Sequence, residues 1–173
     1  SALSVAKFDT SLMFAGCGGA TSSEMGYDWN VLNNGDWGGV MVSKDAGHTW
    51  TMTDFPVNFY ITDILPISSS VIVVSARSNF FSPDDGGCWL SKDGGASWTR
   101  TLNLPVFDLL AVDNSKVLFA AVAMSAATTV KRSDDGGSTW TDFSEGISWG
   151  GALPFYPCLT ADESPGSTVI FIG

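Results

Sequence analysis

Short apolar segments alternate with small polar turns along this chain. Residues 61–67 and 71–75 are apolar runs separated by three serines, and residues 107–112 and 117–121 repeat the arrangement around a polar turn. Apolar runs of about four to eight residues, bounded by Ser, Asp and Gly, predict buried β-strands joined by turns. The pattern therefore predicts an all-β chain.

The same pair of strands recurs along the chain. The predicted pairs are residues 4–8 with 12–16, 61–67 with 71–75, 107–112 with 117–121, and 158–161 with 168–172. Each of the first three pairs is followed by another short strand, at residues 39–42, 88–90 and 129–132. A unit that repeats about every 45 residues is typical of a radial or stacked β architecture.

An eight-residue phrase follows the third strand of each unit. Its pattern is Ser-x-Asp-x-Gly-x-(Ser/Thr)-Trp, at residues 43–50, 91–98 and 133–140, and its Trp residues are 48 and 42 positions apart. We expect a hairpin turn in which Asp accepts backbone amides, Gly adopts a positive φ and Trp buries apolar surface. The residues assigned these structural roles are Asp45, Gly47, Trp50, Asp93, Gly95, Trp98, Asp135, Gly137 and Trp140.

The phrase resembles the Asp-box (BNR) repeat of sialidases, xyloglucan-degrading glycosidases, sortilin-type receptors and photosystem II assembly propellers. The resemblance implies a β-propeller of four-stranded antiparallel blades, in which the box is a structural turn at the blade periphery, away from the functional face. It says less about activity, because one fold hosts many chemistries. The alternative is that runs such as Asp134-Asp135 bind calcium, but these runs lack the spaced oxygen ligands of a dedicated calcium loop.

The resemblance implies one partial propeller domain with three full blades and half of a fourth. The expected boundaries are about 3–56, 59–103, 106–144 and, for the half blade, 157–173. Propellers close with about 4–8 blades, and an open arc exposes unpaired backbone groups. We therefore expect a ring of about six to eight blades, closed by the rest of a larger propeller or, alternatively, by a second copy of the chain.

The composition indicates which classes of ligand and which cellular location to expect. The net charge is −10, with eight Lys and Arg residues, which disfavours nucleic acid as a ligand. No apolar run approaches the ~20 residues of a membrane span, and no signal peptide is visible. A β protein with an acidic, Gly-rich and Lys-poor composition is often secreted or on the cell surface, so the composition of this chain favours that location. Cys17, Cys88 and Cys158 leave at least one thiol unpaired, and their spacing leaves the disulfide state open.

The residue types exclude several kinds of catalysis. His48 is the single histidine and lies inside the first repeated phrase, where it is badly placed to serve a Ser or Cys nucleophile. No pair of neighbouring cysteines suggests a zinc site, and no phosphate-binding loop or dinucleotide fingerprint is present. We therefore expect no metal and no cofactor. Hydrolysis by two carboxylates is the main enzymatic option that remains.

A functional site is expected on the face away from the repeated phrases. The longest connection there, residues 17–37, has the length typical of functional loops. Its aromatic rings and acids suit sugar recognition, although the aromatic side chains could instead pack on the blade edge. The candidate substrate-binding residues of this face are Tyr27, Trp29, Trp37, Arg77, Phe81 and Trp149.

Four carboxylates are candidate catalytic groups. Asp28 and Asp36 lie in the long loop, and Asp63 and Asp108 lie near the starts of inner strands. A glycosidase needs two carboxyls about 5–5.5 Å apart for retention or about 6.5–9.5 Å apart for inversion, and the sequence does not pair them. The alternative role of Asp63 and Asp108 is to cap the backbone of the entering strand.

Two functions from different classes remain open. One is a carbohydrate-binding or carbohydrate-cleaving propeller, and the other is a non-catalytic scaffold or receptor propeller whose same face binds a protein. A sialidase site complete within these residues is not expected. A Phe/Tyr-Arg-Ile-Pro motif is absent, and Arg77 is the single arginine predicted on the functional face, whereas sialidases clamp the substrate carboxylate with an arginine cluster.

Overall fold

The computed structural model of the chain describes residues 2–17, 38–56, 59–77, 85–113, 117–124, 127–147, 157–164 and 167–173. Within these ranges the regular structure is entirely β, and the described residues contain no helix long and apolar enough to cross a membrane. The strands are β1 (Ala2–Val5), β2 (Met13–Cys17), β3 (Gly39–Ser43), β4 (Thr51–Met52), β5 (Tyr60–Pro66), β6 (Ile72–Arg77), β7 (Gly86–Ser91), β8 (Thr99–Leu102), β9 (Val106–Val112), β10 (Val117–Met124), β11 (Ala127–Ser133), β12 (Thr141–Asp142), β13 (Leu159–Ser164) and β14 (Ser167–Ile172).

The strands form three four-stranded antiparallel sheets and one hairpin, in chain order. The first sheet contains β1–β4, the second β5–β8 and the third β9–β12, and the hairpin contains β13 and β14. The first strands of successive sheets, β1, β5, β9 and β13, contact one another, and we call them the inner strands. The described strands of the first sheet and of the hairpin do not pack against each other, so the series is open.

Apolar side chains fill the spaces between successive sheets. On β6, Val74 packs toward the first sheet, whereas its neighbour Val73 packs toward the third. Successive side chains on a strand point to opposite faces, so a strand that is covered on both faces needs a continuous apolar run. At the two ends of the series, apolar side chains such as Leu3 and Phe171 are exposed to 72% and 53%.

The two ends of each sheet differ in their connections. The first-to-second and third-to-fourth strand connections lie at one end, which we call the turn end, and it carries the repeated phrases. The two kinds of connection bond to each other there, because Ala46 N donates to Ser11 O and Gly94 N donates to Ser70 O, both at 2.9 Å. The second-to-third strand and sheet-to-sheet connections lie at the opposite end, which we call the loop end.

Several strand boundaries differ from the sequence-based prediction, and the differences at β1 and β13 change the turn that follows the strand. β1 covers Ala2–Val5 instead of residues 4–8, because Ala6 N bonds Leu12 O at 3.0 Å and thereby closes the turn between β1 and β2. In the last hairpin β13 continues to Ser164, which pairs with Ser167, whereas the sequence predicted a turn from residue 162. Acidic residues tolerate this extension because β13 is exposed over its second half.

Candidate functional site

Two inner strands carry a β-bulge at the loop end, and an aspartate follows each bulge. In β5 the pairing with β6 shifts between Ile61 and Asp63, which leaves Thr62 as the extra residue. In β9 the pairing with β10 shifts in the same way at Phe107, directly before Asp108. A bulge re-aims the side chains that follow it. Asp63 and Asp108 therefore occupy equivalent positions on adjacent sheets.

Asp63 is a partly buried carboxyl with a raised pKa. Its Oδ1 accepts the backbone amide of Ile64 at 2.7 Å. Burial is the main cause that raises the pKa of Asp63 to about 6, and the charge of Asp108 also raises it, while the amides of Ile64 and Leu109 lower it. A carboxyl that titrates near pH 6 is suited to donate or accept a proton near neutral pH.

Asp108 joins two sheets through backbone amides. Its Oδ1 accepts the amide of Leu109 at 3.0 Å, and its Oδ2 accepts the amide of Leu159 at 2.6 Å. Leu159 begins β13, so the second bond links the third sheet to the hairpin. Burial raises the pKa of Asp108, and the two amides oppose the rise because they stabilise the ionised form.

A cation and two aromatic rings lie at the same end. The guanidinium carbon of Arg77, at the end of β6, lies 4.9 Å from the ring centre of Tyr60 and 5.5 Å from that of Phe107. These distances are within the range of cation–π attraction. Tyr60 belongs to β5 and Phe107 to β9, so Arg77 contacts both inner strands that carry the bulges.

A second arginine reaches the loop end, contrary to the sequence-based interpretation. Arg100 lies on the outer strand β8, but its guanidinium donates to the Asp85 carboxylate and to the backbone oxygen of Gly86. Its charge lies 5.1 Å from the ring centre of Trp89 and 5.7 Å from that of Phe59. The hydrogen bond from Arg100 lowers the pKa of Asp85, so this carboxylate is occupied by an ion pair.

At the turn end, the first repeated phrase satisfies its own polar groups. Ser43 Oγ donates to Asp45 Oδ1 and accepts the Gly47 amide, both at 2.8 Å. The Thr49 amide and hydroxyl donate to the two oxygens of Asp45 at 2.8 and 2.6 Å. Gly47 has a φ of 88°, which favours glycine. The Thr49 hydroxyl is the main cause that lowers the pKa of Asp45 to about 2.

The second and third phrases repeat this network. Ser97 and Thr139 donate their hydroxyls to Asp93 and Asp135, which lowers the pKa of each carboxyl to about 2. The buried Ser91 hydroxyl accepts the Gly95 amide at 2.8 Å, in the same way as in the first phrase. The three aspartates are thus committed to their own turns.

The structure describes three of the sequence-predicted site residues and places them at the same end of the sheets. Asp63, Asp108 and Arg77 all lie at the loop end of the second and third sheets. Tyr60 and Phe107 were not among the candidates. For Phe107 the available signal was the alignment of residues 61–64 with residues 106–109, which places Phe107 directly before the second aspartate. The candidates that lie outside the described residues are Tyr27, Asp28, Trp29, Asp36, Trp37, Phe81 and Trp149.

The described thiols and acids give no sign of a metal centre. Among the described residues, no group of three or more His, Cys, Asp and Glu side chains is placed to hold a metal ion. Cys88 is a buried free thiol whose pKa is raised by burial, and Cys158 is an exposed free thiol. The side chain of Cys17 lies outside the described part of the chain.

Comparison with known proteins finds similarity in structure but not in sequence. No protein-family model matches the chain, and no curated protein matches it either. The GH74 enzyme of Niastella koreensis aligns over 82% of this chain and 22% of its own, with a TM-score of 0.55 and 19% identity. An ancestral GH74 enzyme aligns over 92% and 22%, with a TM-score of 0.57 and 15% identity. The NanB sialidase of Streptococcus pneumoniae, as a point mutant, aligns over 79% and 23%, with a TM-score of 0.50 and 11% identity.

These similarities concern the fold. The chain spans about a fifth of the length of each of these proteins. Its three four-stranded antiparallel sheets contact one another through their inner strands, in an open series. The prediction of an all-β chain built from four-stranded antiparallel blades is therefore confirmed, and the chain has the fold of part of a β-propeller.

Proposed function

We propose that this chain belongs to the Asp-box class of propellers and binds or cleaves carbohydrate at its loop end. The observation that carries the proposal is the pair of carboxyls at equivalent inner-strand positions. Asp63 and Asp108 are close enough that the charge of Asp108 raises the pKa of Asp63. Arg77, Tyr60 and Phe107 add a cation and two aromatic rings at the same end.

The two carboxyls differ in a way that supports two chemical roles. Asp63 has a pKa of about 6, so about half of it is protonated at pH 6 and about a tenth at pH 7. Burial raises the pKa of Asp108 as well, but its two backbone amides oppose the rise and favour the ionised form. In glycoside hydrolysis a protonated carboxyl donates to the leaving oxygen, while an ionised carboxyl acts as base or nucleophile. We assign the acid role to Asp63 and the carboxylate role to Asp108.

The repeated phrases support the Asp-box assignment and the location of the site. All three phrases fold into the same turn, with the same serine, aspartate and glycine contacts. Their aspartates accept bonds from their own turns and have pKa values of about 2, so they are not suited to proton transfer near neutral pH. The acids with raised pKa values lie at the opposite end of the sheets.

A scaffold or receptor propeller is the second candidate function. The observation that favours it is that Asp63 and Asp108 accept strand amides, which gives both residues a structural role without any substrate. Arginine and tyrosine are also frequent in the centres of protein interfaces, and Arg77 and Tyr60 lie side by side at the loop end.

Glycan binding and glycan hydrolysis by the purified protein test the proposal. We expect binding on a glycan array, and we expect Asp63→Asn and Asp108→Asn to lower any hydrolysis by about a hundredfold or more. Asp162→Asn is the matched control, because Asp162 is an exposed carboxylate on the inner strand β13 and should leave binding and hydrolysis unchanged.

The outcomes separate the two functions. If the folded protein binds no glycan and hydrolyses none, the carbohydrate function is wrong, and capture of a protein ligand that depends on Arg77 would support the scaffold function. Glycan binding without hydrolysis would support a binding site and reject the catalytic assignment. Hydrolysis that Asp63→Asn and Asp108→Asn leave intact would reject the roles given to these two residues.

A further inference from the structure

A cavity of about 280 Å³ lies at the turn end, between the second and third repeated phrases. Its lining residues are Leu90, Lys92, Ser97, Thr99, Thr101 and Ser138. The volume corresponds to about nine water molecules at ~30 Å³ each, which is enough for a ligand the size of one sugar ring. The cavity lies at the opposite end of the sheets from Asp63 and Asp108, so it is distinct from the site described above.

The walls of the cavity offer hydroxyl groups and one ammonium group. Four of the six lining residues are Ser or Thr, and Lys92 supplies the single charge of the lining. The nearby carboxylate of Asp93 is occupied, because it accepts the amide and hydroxyl of Ser97 at 2.8 and 2.5 Å and the hydroxyl of Ser91 at 2.8 Å. Among the described residues, Lys92 has no ion-pair partner.

The wall that contains Thr101 is held by a contact between two sheets. The indole nitrogens of Trp50 and Trp98 donate to a glycine oxygen of their own turns, at 3.0 and 3.1 Å. In contrast, the indole nitrogen of Trp140 donates to Thr101 Oγ1 on β8 of the second sheet at 3.2 Å. The third phrase therefore fixes the position of a lining hydroxyl on the neighbouring sheet, and no bond between described residues uses the hydrogen of that hydroxyl.

The surroundings favour an uncharged ligand over an anion. Asp93 and Asp135 have pKa values of about 2 and carry negative charge at neutral pH, and the whole chain has a net charge of −10. These charges oppose the approach of sulfate or phosphate. Hydroxyl groups both donate and accept hydrogen bonds, so they pair well with the hydroxyls of a sugar.

We propose that the cavity between the second and third repeated phrases is a binding site for a neutral sugar unit. The Thr99 and Thr101 hydroxyls donate to sugar oxygens and Lys92 does the same. The Ser97 and Ser138 hydroxyls, which already donate to Asp93 and to the backbone oxygen of Asp135, accept from sugar hydroxyls, and Leu90 contacts the apolar face of the ring. A small, open site of this kind is expected to bind a single sugar with a millimolar dissociation constant. The proposal does not depend on the function proposed for the loop end.

Titration of the isotope-labelled protein with neutral monosaccharides, followed by NMR, tests the proposal. With glucose, galactose, xylose and N-acetylglucosamine as probes, we expect amide shifts at residues 90–101 and at Ser138 for at least one sugar. Lys92→Met keeps the aliphatic stem but removes the donors, and should weaken binding about tenfold. Lys44→Met is the matched control, because Lys44 has the same place in the first phrase and should leave affinity within about twofold.

Thr99→Val provides an independent variant, since it removes a lining hydroxyl at nearly constant shape and should also weaken binding. The proposal is wrong if none of the sugars shifts the amides around the cavity, or if sulfate shifts them and sugars do not. It is equally wrong if Lys92→Met and Thr99→Val bind as tightly as the parent protein. Shifts confined to the loop end would support the function proposed there and would count against this second site.

Discussion

Replacement of Asp63 by Asn should stabilise the protein near neutral pH. The pKa of Asp63 is about 6 in the folded protein and about 3.9 in an unfolded chain. The folded state therefore binds more protons than the unfolded state between these values, so the contribution of Asp63 to stability is highest below about pH 4 and falls as the pH rises to about 6. Once both states are ionised, the burial of this carboxylate costs about 3 kcal/mol.

Asn removes this cost but weakens one hydrogen bond. The Asn side-chain oxygen can still accept the Ile64 amide, now as a neutral acceptor, at a loss of about 1 kcal/mol. We therefore expect Asp63→Asn to raise the free energy of unfolding by about 1–2 kcal/mol at pH 7.5 and to have little or no stabilising effect at pH 4. Part of the pH dependence should remain, because the pKa of Asp108 is also raised.

Urea unfolding at pH 4 and pH 7.5 measures both values. Asp162→Asn is the control, since Asp162 is exposed and its replacement should not change the difference between the two pH values. If Asp63→Asn lowers stability equally at both pH values, the carboxylate acts as a favourable cap and the reasoning from burial is wrong.

Three further predictions concern the turn end. Ser91→Ala should lower stability by about 2 kcal/mol in urea unfolding, because it leaves the amide of Gly95 buried without its acceptor; an effect below about 0.5 kcal/mol would contradict this. Gly137→Ala should lower the free energy of unfolding by about 1 kcal/mol more than Gly136→Ala. Both glycines have a positive φ, but a Cβ at Gly137 would lie 3.1 Å from Val73, whereas a Cβ at Gly136 would meet no atom within 4 Å; equal thermal midpoints of the two variants would contradict this. The three turn aspartates have pKa values of about 2, so their stabilisation is lost as the pH falls from about 4 to about 2, and circular dichroism should place the stability maximum near pH 4 instead of at neutral pH.

The strands and the repeated turns could be predicted from sequence because both depend on local patterns. A run such as residues 71–75 is apolar enough to predict a strand covered on both faces, and the strand observed there, β6, is buried along most of its length. The spacing of Ser, Asp and Gly in each phrase determines which groups can bond within the turn. The sequence also predicted that alternate strand connections lie at opposite ends of the described sheets, and the antiparallel strand order agrees with this.

The contacts at the loop end could not be predicted in the same way. The bulges at Thr62 and Phe107 are set by how β5 and β9 pair with their neighbours, and nothing in the residues of either strand alone requires the shift. Arg100 was not predicted on the functional face because it lies on an outer strand, β8, but its long side chain reaches along the sheet to Asp85. Arg77 and Phe107 belong to different sheets and are far apart in the sequence, so local sequence patterns do not predict their contact.

The role of Asp63 can be decided by combining stability with activity. A carboxylate that only capped a strand would be expected to stabilise the fold in its ionised form and therefore to have a lowered pKa. The turn aspartates behave in this way, since their pKa values in the folded protein are about 2. Burial instead raises the pKa of Asp63, so its ionised form weakens the fold near neutral pH, although its position at the start of β5 provides an amide donor. A group that costs stability is typical of functional sites, where perturbed pKa values concentrate. If Asp63→Asn stabilises the protein and also abolishes glycan hydrolysis, both observations follow from one buried acid. If it stabilises the protein but leaves glycan binding and hydrolysis unchanged, the raised pKa is a consequence of packing at the loop end. In that case the acid role of Asp63 must be withdrawn.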